Sequence, residues 1–235
     1  MPALRTRSTA PEKMDAPGLP EGELRRALRE IDRINRWLGG YKLVFDALKS
    51  VPAVREKRPV TLMDLGCGNG EILRAVARWA QRSSLDMRLI GVDMNPTMTR
   101  LAGNTCVLHS NISFRTADVF DDVLMADKPD IVMSTLFVHH FDRDTLIRLL
   151  QRMQALAGTA VIINDPDRNA VAYYGIKLLT RWFSGSYLVR FDAPLSVARS
   201  LTRKEWEEVL QAAGITNYRI RWRWAWRWEI IITKS

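Results

Sequence analysis

The chain has 235 residues, 47% hydrophobic and 26% charged, with a net charge of +9. That length and balance suit one large domain with a full core, while two cysteines, Cys67 and Cys106, exclude a disulfide-built scaffold and point to a reducing compartment. No apolar run reaches the ~20 residues a membrane span needs, and residues 1–20 lack a signal peptide's apolar stretch, so the expectation is a soluble, cytoplasmic protein. Residues 1–58 carry 13 basic and 8 acidic side chains, residues 59–217 carry 17 of each, and residues 218–235 carry 5 and 1. A groove for phosphates would draw basic side chains from the central body as well, so no nucleic-acid partner is expected.

Residues 1–20 mix Pro, Gly, Ser and charge without periodicity and read as a disordered tail. From Glu21, Leu24, Leu28, Ile31, Ile34 and Leu38 recur at helical spacing up to the Gly39-Gly40 stop, and a second short helix runs through Leu43, Phe45 and Leu48 to Pro52. Residues 21–58 therefore read as an amino-terminal helical lid. Residues 59–235 form the main domain, where apolar runs alternate with helical patterns as in βαβ units around a parallel sheet. Strands are predicted at 60–65, 88–93, 112–117, 130–135 and 159–164, with helices at 70–82, 96–104, 143–156 and 203–213. Residues 165–202 break the rhythm; too apolar for a loop, they read as a helical substrate cap inserted after the fifth strand. At the end, Tyr218, Ile220, Trp222 and Trp224 alternate with Arg219, Arg221 and Arg223, and the chain turns near Ala225. That pattern predicts a closing antiparallel hairpin whose Trp face covers the sheet and whose Arg face meets water. Its aromatic and basic surface could touch an anionic membrane or an acidic carrier protein.

The chemistry-bearing signals lie at strand ends. VTLMDLGCGNGE, residues 60–71, is an apolar strand with Asp64 near its end, then Gly66, Gly68 and Gly70 before a helix. Glycines permit the tight turn and let a ligand approach the backbone, and the helix that follows offers free N–H groups. A dinucleotide fingerprint would want a small residue where Glu71 stands, and the Lys-Ser/Thr of a phosphate-binding loop is absent. In RLIGVDMNP, residues 88–96, Asp93 ends a strand where a carboxylate can accept two hydrogen bonds from a ribose diol.

With these motifs in this order, residues 59–164 resemble the class I S-adenosylmethionine-dependent methyltransferases. The resemblance implies a doubly wound, Rossmann-like α/β fold with a mixed seven-stranded sheet, S-adenosylmethionine as cofactor and S-adenosylhomocysteine as product. It implies that Gly66, Cys67, Gly68 and Gly70 form the nucleotide cradle, with Cys67 a spacer. Asp64 is then the acid near the methionine end, Asp93 the ribose binder, Met94 an adenine packer, and Asp118 with Val119 the adenine edge. Ser134 and Thr135, ending the fourth strand, are placed at the methionyl group.

The donor's charge disappears as its methyl leaves, so the protein must mainly align the reactants and exclude water, and a hydroxyl acceptor also needs a base. His139 and His140, beyond the fourth strand, are the candidates. No metal is expected: the metal-dependent catechol type has an acid at Ser134's place and an acid-then-amide pair where this chain has Asn164-Asp165. The segments RINRWLGG, NDPDRNAVAYYGIKLLTRW and APLSVARSLTRKEW resemble bacterial methyltransferases of phenolic or quinone-like polyketide and isoprenoid products. That likeness places Asn35, Trp37, Asp165, Arg168, Tyr173 and Tyr174 at the substrate, with Ile176 and Phe183 beside them and Arg190 and Arg199 available to an anionic group. The expected activity is O-methylation of a phenolic or quinol-like small molecule by a monomer or homodimer. A C- or N-methyltransferase and a non-catalytic cofactor-binding subunit of a biosynthetic complex are the alternatives.

Overall fold

The computed structural model describes residues 4–16 and 18–234. Seven strands run β1 (Val60–Leu65), β2 (Met87–Asp93), β3 (Ile112–Thr116), β4 (Ile131–Thr135), β5 (Ala160–Pro166), β6 (Tyr218–Arg223) and β7 (Arg227–Thr233). They lie in the order β3-β2-β1-β4-β5-β7-β6, with β7 antiparallel to both β5 and β6 and the rest parallel. The doubly wound sheet with its closing hairpin is as expected. Strand order reverses between β1 and β4, whose ladder ends at the Asp64–Met133 pair. The crevice above that point is where open α/β sheets take ligands.

The helices are α1 (Glu21–Trp37), α2 (Gly40–Ser50), α3 (Pro52–Arg55), α4 (Glu71–Arg82), α5 (Pro96–Cys106), α6 (Arg143–Leu156), α7 (Ala170–Phe183), α8 (Tyr187–Arg199) and α9 (Arg203–Ala212). Side chains fix several starts: Asn95 accepts from Thr97 N–H, Asp142 from Thr145 N–H and Asn169 from Ala172 N–H, while Thr202 and Glu205 form a capping box. On one face of the sheet Leu146, Leu149, Leu150, Met153, Trp206 and Leu210 pack against Met63, Val132 and Ile163. On the other, Val44, Leu48, Leu73, Val76 and Trp79 pack against Leu62, Met133 and Ile162. Each fully buried aliphatic side chain contributes about 1.5–3 kcal/mol.

Three regions depart from the sequence reading. Residues 4–16, expected to be disordered, lie as a strap along the body: Ser8 N–H donates to the Ala198 carbonyl at 2.9 Å, and Asp192 accepts from Lys13 and Met14 N–H at 2.8 and 2.9 Å. The strap is held through its backbone and a few charged side chains, which leave no hydrophobic period to read. Residues 40–55, grouped with the lid, supply core to one face of the sheet through Val44, Ala47, Leu48 and Val54. In the hairpin, Trp222 and Trp224 are 47% and 63% exposed. Arg219 and Arg223 instead turn inward to the buried Glu229 at 3.9 and 3.5 Å, and Arg223 reaches Asp46 at 2.9 Å. The buried carboxylate of Glu229 draws Arg219 and Arg223 in on one face, where Arg221 stays exposed; on the other face Tyr218 and Ile220 pack on the core as expected, and only the two tryptophans stay outside.

The cap forms as expected from α7 and α8. Its apolar face does not all turn inward: Val171, Tyr174, Leu178, Trp182 and Phe183 on α7 are exposed. No helix among the described residues is long and apolar enough to cross a membrane.

Candidate active site

One corner of the crevice is built by the loop from β1 to α4. Gly66 N–H and Cys67 N–H both donate to the Val92 carbonyl, at 2.9 and 3.0 Å, pinning the loop to β2. Gly66 has a φ of 73°, and the Phe137 ring occupies the place where its Cβ would stand. Gly68, at φ 53°, faces open space with nothing within 4 Å of a Cβ built there. A ligand can therefore lie directly on this backbone. Asp93 sits beside it, one carboxylate oxygen accepting from Gly68 N–H at 3.0 Å and the other from Asn95 N–H at 2.9 Å. Burial raises the Asp93 pKa, with the two N–H groups acting against it. Each oxygen keeps a lone pair for a further donor.

Asp64 is 2% exposed, and its Oδ1 has no hydrogen-bond partner. Burial, with Asp93 nearby, pushes its carboxyl well above the usual range. A buried acceptor of this kind calls for a donor or a cation. Thr135 is also buried, with its hydroxyl unpartnered. These orphaned groups, the open Gly68 and the free lone pairs of Asp93 suit the adenosyl sulfonium implied by the motifs.

Other expected cofactor residues are spent differently. Ser134 is buried and donates to the Leu65 carbonyl at 3.0 Å, tying β4 to β1 rather than facing the crevice. Cys67 is buried against Gly91, and burial pushes its thiol up, so it is inert packing. Val119 lies in the core, so that only its backbone is available at the adenine edge. Asp118 is exposed and accepts from Phe120 N–H at 2.9 Å, and Met94 stands 72% exposed with its face free.

The opposite corner is assembled from distant segments. Leu136 adopts a left-handed φ of 55°, which costs a branched residue roughly 1–2 kcal/mol, and its N–H donates to the Asn164 carbonyl at 2.9 Å. That turn carries Phe137 over Gly66 and leads into the short 3-10 turn Val138–His140. His139 is 2% exposed, and its Nδ1 lies 2.9 Å from Asp165 Oδ1, itself fully buried at the end of β5. Its Nε2 makes no hydrogen bond and lies 3.4 Å from Glu12 Oε1 on the strap. Burial acts to lower the His139 pKa, but the flanking Asp165 and Glu12 carboxylates overcome it and raise the imidazole to about 9. Burial works against the charge of Glu12, yet the close His139 imidazole, the field of both histidines and the hydrogen bond from the Ser196 hydroxyl hold its carboxyl below its ordinary value. His140 pairs its Nδ1 with Asp15 at 3.0 Å.

Two arginines fix this turn through its carbonyls. Arg199 donates to His139 O at 3.3 Å, His140 O at 2.8 Å and Ala10 O at 2.6 Å, and Arg7 donates to His139 O at 2.8 Å. Arg199 is thus a brace for the histidines and not an anion receptor. Arg168 is likewise engaged, by the Ser200 and Leu4 carbonyls and by Glu205, which buries its guanidinium within the fold. Arg190 donates to the Ser184 carbonyl at 2.7 Å. Trp37 is 62% exposed, lying beside Phe183 on one side and on the other lining, with Asn69 and Glu71, a pocket that borders the glycine loop. Tyr173 is half-buried, stacks edge-on with the exposed Tyr174, and neither hydroxyl is hydrogen bonded. Asn35 is buried, its Oδ1 unpartnered where α1 meets Gly40 and the buried Arg227. Among the proposed substrate residues, Asn35 and Asp165 keep a buried polar atom free, while the donors of Arg168 are engaged within the fold.

Glu12, Asp15, Arg7 and Arg227 escaped the sequence reading. The first three lie in a stretch without period, and Arg227 is one arginine in an alternating run; no local signal marks any of them.

Residues 62–158 match the protein family described as a methyltransferase domain. That stretch is a methyltransferase domain, carried on the doubly wound sheet described above. Curated relatives include ajmaline N-methyltransferase of Rauvolfia serpentina, 27% identical over 143 residues (56% of this chain, 47% of the relative). Another is cephaeline 6'-O-methyltransferase of Carapichea ipecacuanha, 22% identical over 184 residues (76% of this chain, 45% of the relative). The chain spans about half the length of the curated relatives it matches. In fold, the methyltransferase domain is similar to the plantazolicin methyltransferase solved with S-adenosylhomocysteine, at 17% identity and a TM-score of 0.64 over 92% of this chain and 96% of that one. It is also similar to human N-acetylserotonin methyltransferase solved with S-adenosylmethionine, at 16% identity and a TM-score of 0.63 over 92% and 57%.

Proposed function

We propose that this protein methylates an oxygen of a phenolic or quinol-like small molecule, with His139 as the proton acceptor. The observation that carries the reading is the buried His139–Asp165 pair at the carboxyl edge of the sheet, its Nε2 free of any hydrogen bond. S-adenosylmethionine, when bound, supplies an electrophilic methyl group. Gly66, Gly68, Asp64 and Asp93 hold it and aim it along the crevice, while the residues of the other corner deal with the acceptor. Asp165 holds the Nδ1–H; Nε2 carries a proton while Glu12 lies against it, since the two carboxylates raise the imidazole to about 9, and it offers a lone pair once the acceptor displaces Glu12 and that proton is shed. The acceptor hydroxyl takes the place that the Glu12 carboxylate holds against Nε2, and loses its proton there as its oxygen attacks. Arg7 and Arg199, gripping the main chain of the histidine turn, keep Nε2 in position. Asn35 orients the rest of the acceptor, and α7 and α8 cover it.

The named relatives support a small-molecule acceptor and include both an O- and an N-methyltransferase. The test is incubation with methyl-labelled S-adenosylmethionine and a panel of phenols, quinols and amines, in wild type and His139→Ala. Label on a phenolic or quinol oxygen, lost in the variant while S-adenosylhomocysteine still binds, is the expected outcome. Label on nitrogen or carbon alone, or full turnover by His139→Ala, would overturn the oxygen-acceptor reading.

A further inference from the structure

The strap and the histidine turn bring together three groups that can ligate a metal. One ligand atom each from Glu12, His139 and His140 falls within 4.8 Å of the others. Glu12 Oε1 stands 3.4 Å from His139 Nε2, and Glu12 Oε2 stands 3.8 Å from His140 Nε2. The far nitrogen of each ring already has a carboxylate behind it: Asp165 Oδ1 at 2.9 Å for His139 and Asp15 Oδ2 at 3.0 Å for His140. A carboxylate at Nδ1 fixes that nitrogen as the N–H donor and turns the lone pair of Nε2 outward, which is the outer arrangement found behind metal-bound histidines. Here both rings have it, and both Nε2 atoms converge on one carboxylate. The convergence leaves electron-rich groups facing one another, and the buried His139 Nε2 has no hydrogen-bond partner. Something positive must stand between them: either added protons or a single divalent ion.

We propose that Glu12, His139 and His140 form a binding site for a divalent transition metal, zinc by the character of the ligands. Two imidazoles and a carboxylate, with a fourth position left for water, are a zinc donor set, whereas magnesium and calcium favour all-oxygen shells. Asp165 and Asp15 orient the two rings, and Arg199 and Arg7 hold the turn that carries them. The ion takes the Nε2 lone pair that the proposed proton transfer uses, and it fastens the strap over the histidines. Its consequence for turnover is therefore inhibition; that consequence alone rests on the proposed function.

The test uses the full chain, free of affinity tag and stripped by a chelator, titrated with zinc by calorimetry and with cobalt by visible absorption. Expected are one ion per chain, the intense visible bands of tetrahedral cobalt, and a loss of affinity of at least tenfold in both Glu12→Gln and His140→Ala. Asp15→Asn, which touches no ion, should weaken binding by a smaller factor. S-adenosylhomocysteine binding by each variant verifies that it is folded. Absence of zinc and cobalt binding at millimolar metal, or equal affinity in the wild type and the folded Glu12→Gln and His140→Ala variants, would overturn the site. Zinc that binds but leaves turnover unchanged would uphold the ion site and overturn the role of His139 as base.

Discussion

The two corners of the crevice are built on opposite principles. The cofactor corner comes from consecutive residues, Asp64 to Gly70, plus one neighbour across the sheet, Asp93, and it is open: Gly68 faces free space and Asp64 lacks a partner. The opposite corner gathers residues 7, 12, 15, 139, 140, 165 and 199, and it is closed by charge, with Glu12 lying against His139. A universal cofactor can be met by a short fixed motif, while an acceptor is met by side chains brought in from wherever the chain passes. Damage to the first corner should therefore act on cofactor affinity, and damage to the second on turnover.

His139→Ala should separate the corners most sharply. Turnover should fall by about 10²–10⁴-fold, the range for a lost general base, with S-adenosylhomocysteine affinity unchanged; equal losses in both would merge the corners. Arg199→Ala should come next, since the Ala10 and His140 carbonyls lose their side-chain donor and His139 O keeps only Arg7. We expect destabilisation of roughly 2–4 kcal/mol in denaturant unfolding, and turnover should drop more than cofactor affinity does. Asp93→Ala should weaken S-adenosylhomocysteine by about 1–3 kcal/mol through lost hydrogen bonds, read by calorimetry, and unchanged affinity would remove Asp93 from the ribose.

Asp64→Asn should sharpen the contrast further, because it trades binding for stability. The buried carboxyl is held above its ordinary range, so its charge costs stability at neutral pH and that cost fades as acid protonates it in the folded state. The variant should gain roughly 0.5–2 kcal/mol at neutral pH, the gain shrinking as pH falls, while cofactor affinity drops. Denaturant midpoints measured across pH would show it. The smallest effect is expected at Trp222→Ser, where the side chain is 47% exposed and stability should move by less than about 0.5 kcal/mol.

The same contrast explains what the sequence made legible. Strands and helices of the βαβ body repeat at periods set by burial, so β1 through β5 and α4 through α6 could be placed closely, and the glycine loop with Asp93 could be read as a cofactor cradle. His139 and Asp165 could also be singled out as candidates, because they stand at or just beyond strand ends, at the edge where such sheets bind ligands. Glu12, Asp15 and Arg7 were not, since a strap held by backbone bonds to α8 has no period. Arg168 and Arg199 were visible as charges, but only packing shows that their donors go to Ser200, Leu4, Ala10 and the histidine carbonyls. The hairpin is half legible for a similar reason: alternation shows that two faces differ, and Tyr218 and Ile220 do pack on the core, but only the fold shows that the buried Glu229 draws Arg219 and Arg223 inward on the other face.

The central claim is that the bare loop around Gly68 and the carboxylate of Asp93 grip an adenosyl sulfonium. Calorimetric titration of the purified chain with S-adenosylhomocysteine tests it most directly. The account predicts one molecule bound per chain and a clear loss of affinity in Asp93→Ala. No heat of binding at millimolar ligand, or binding indifferent to Asp93, would contradict it.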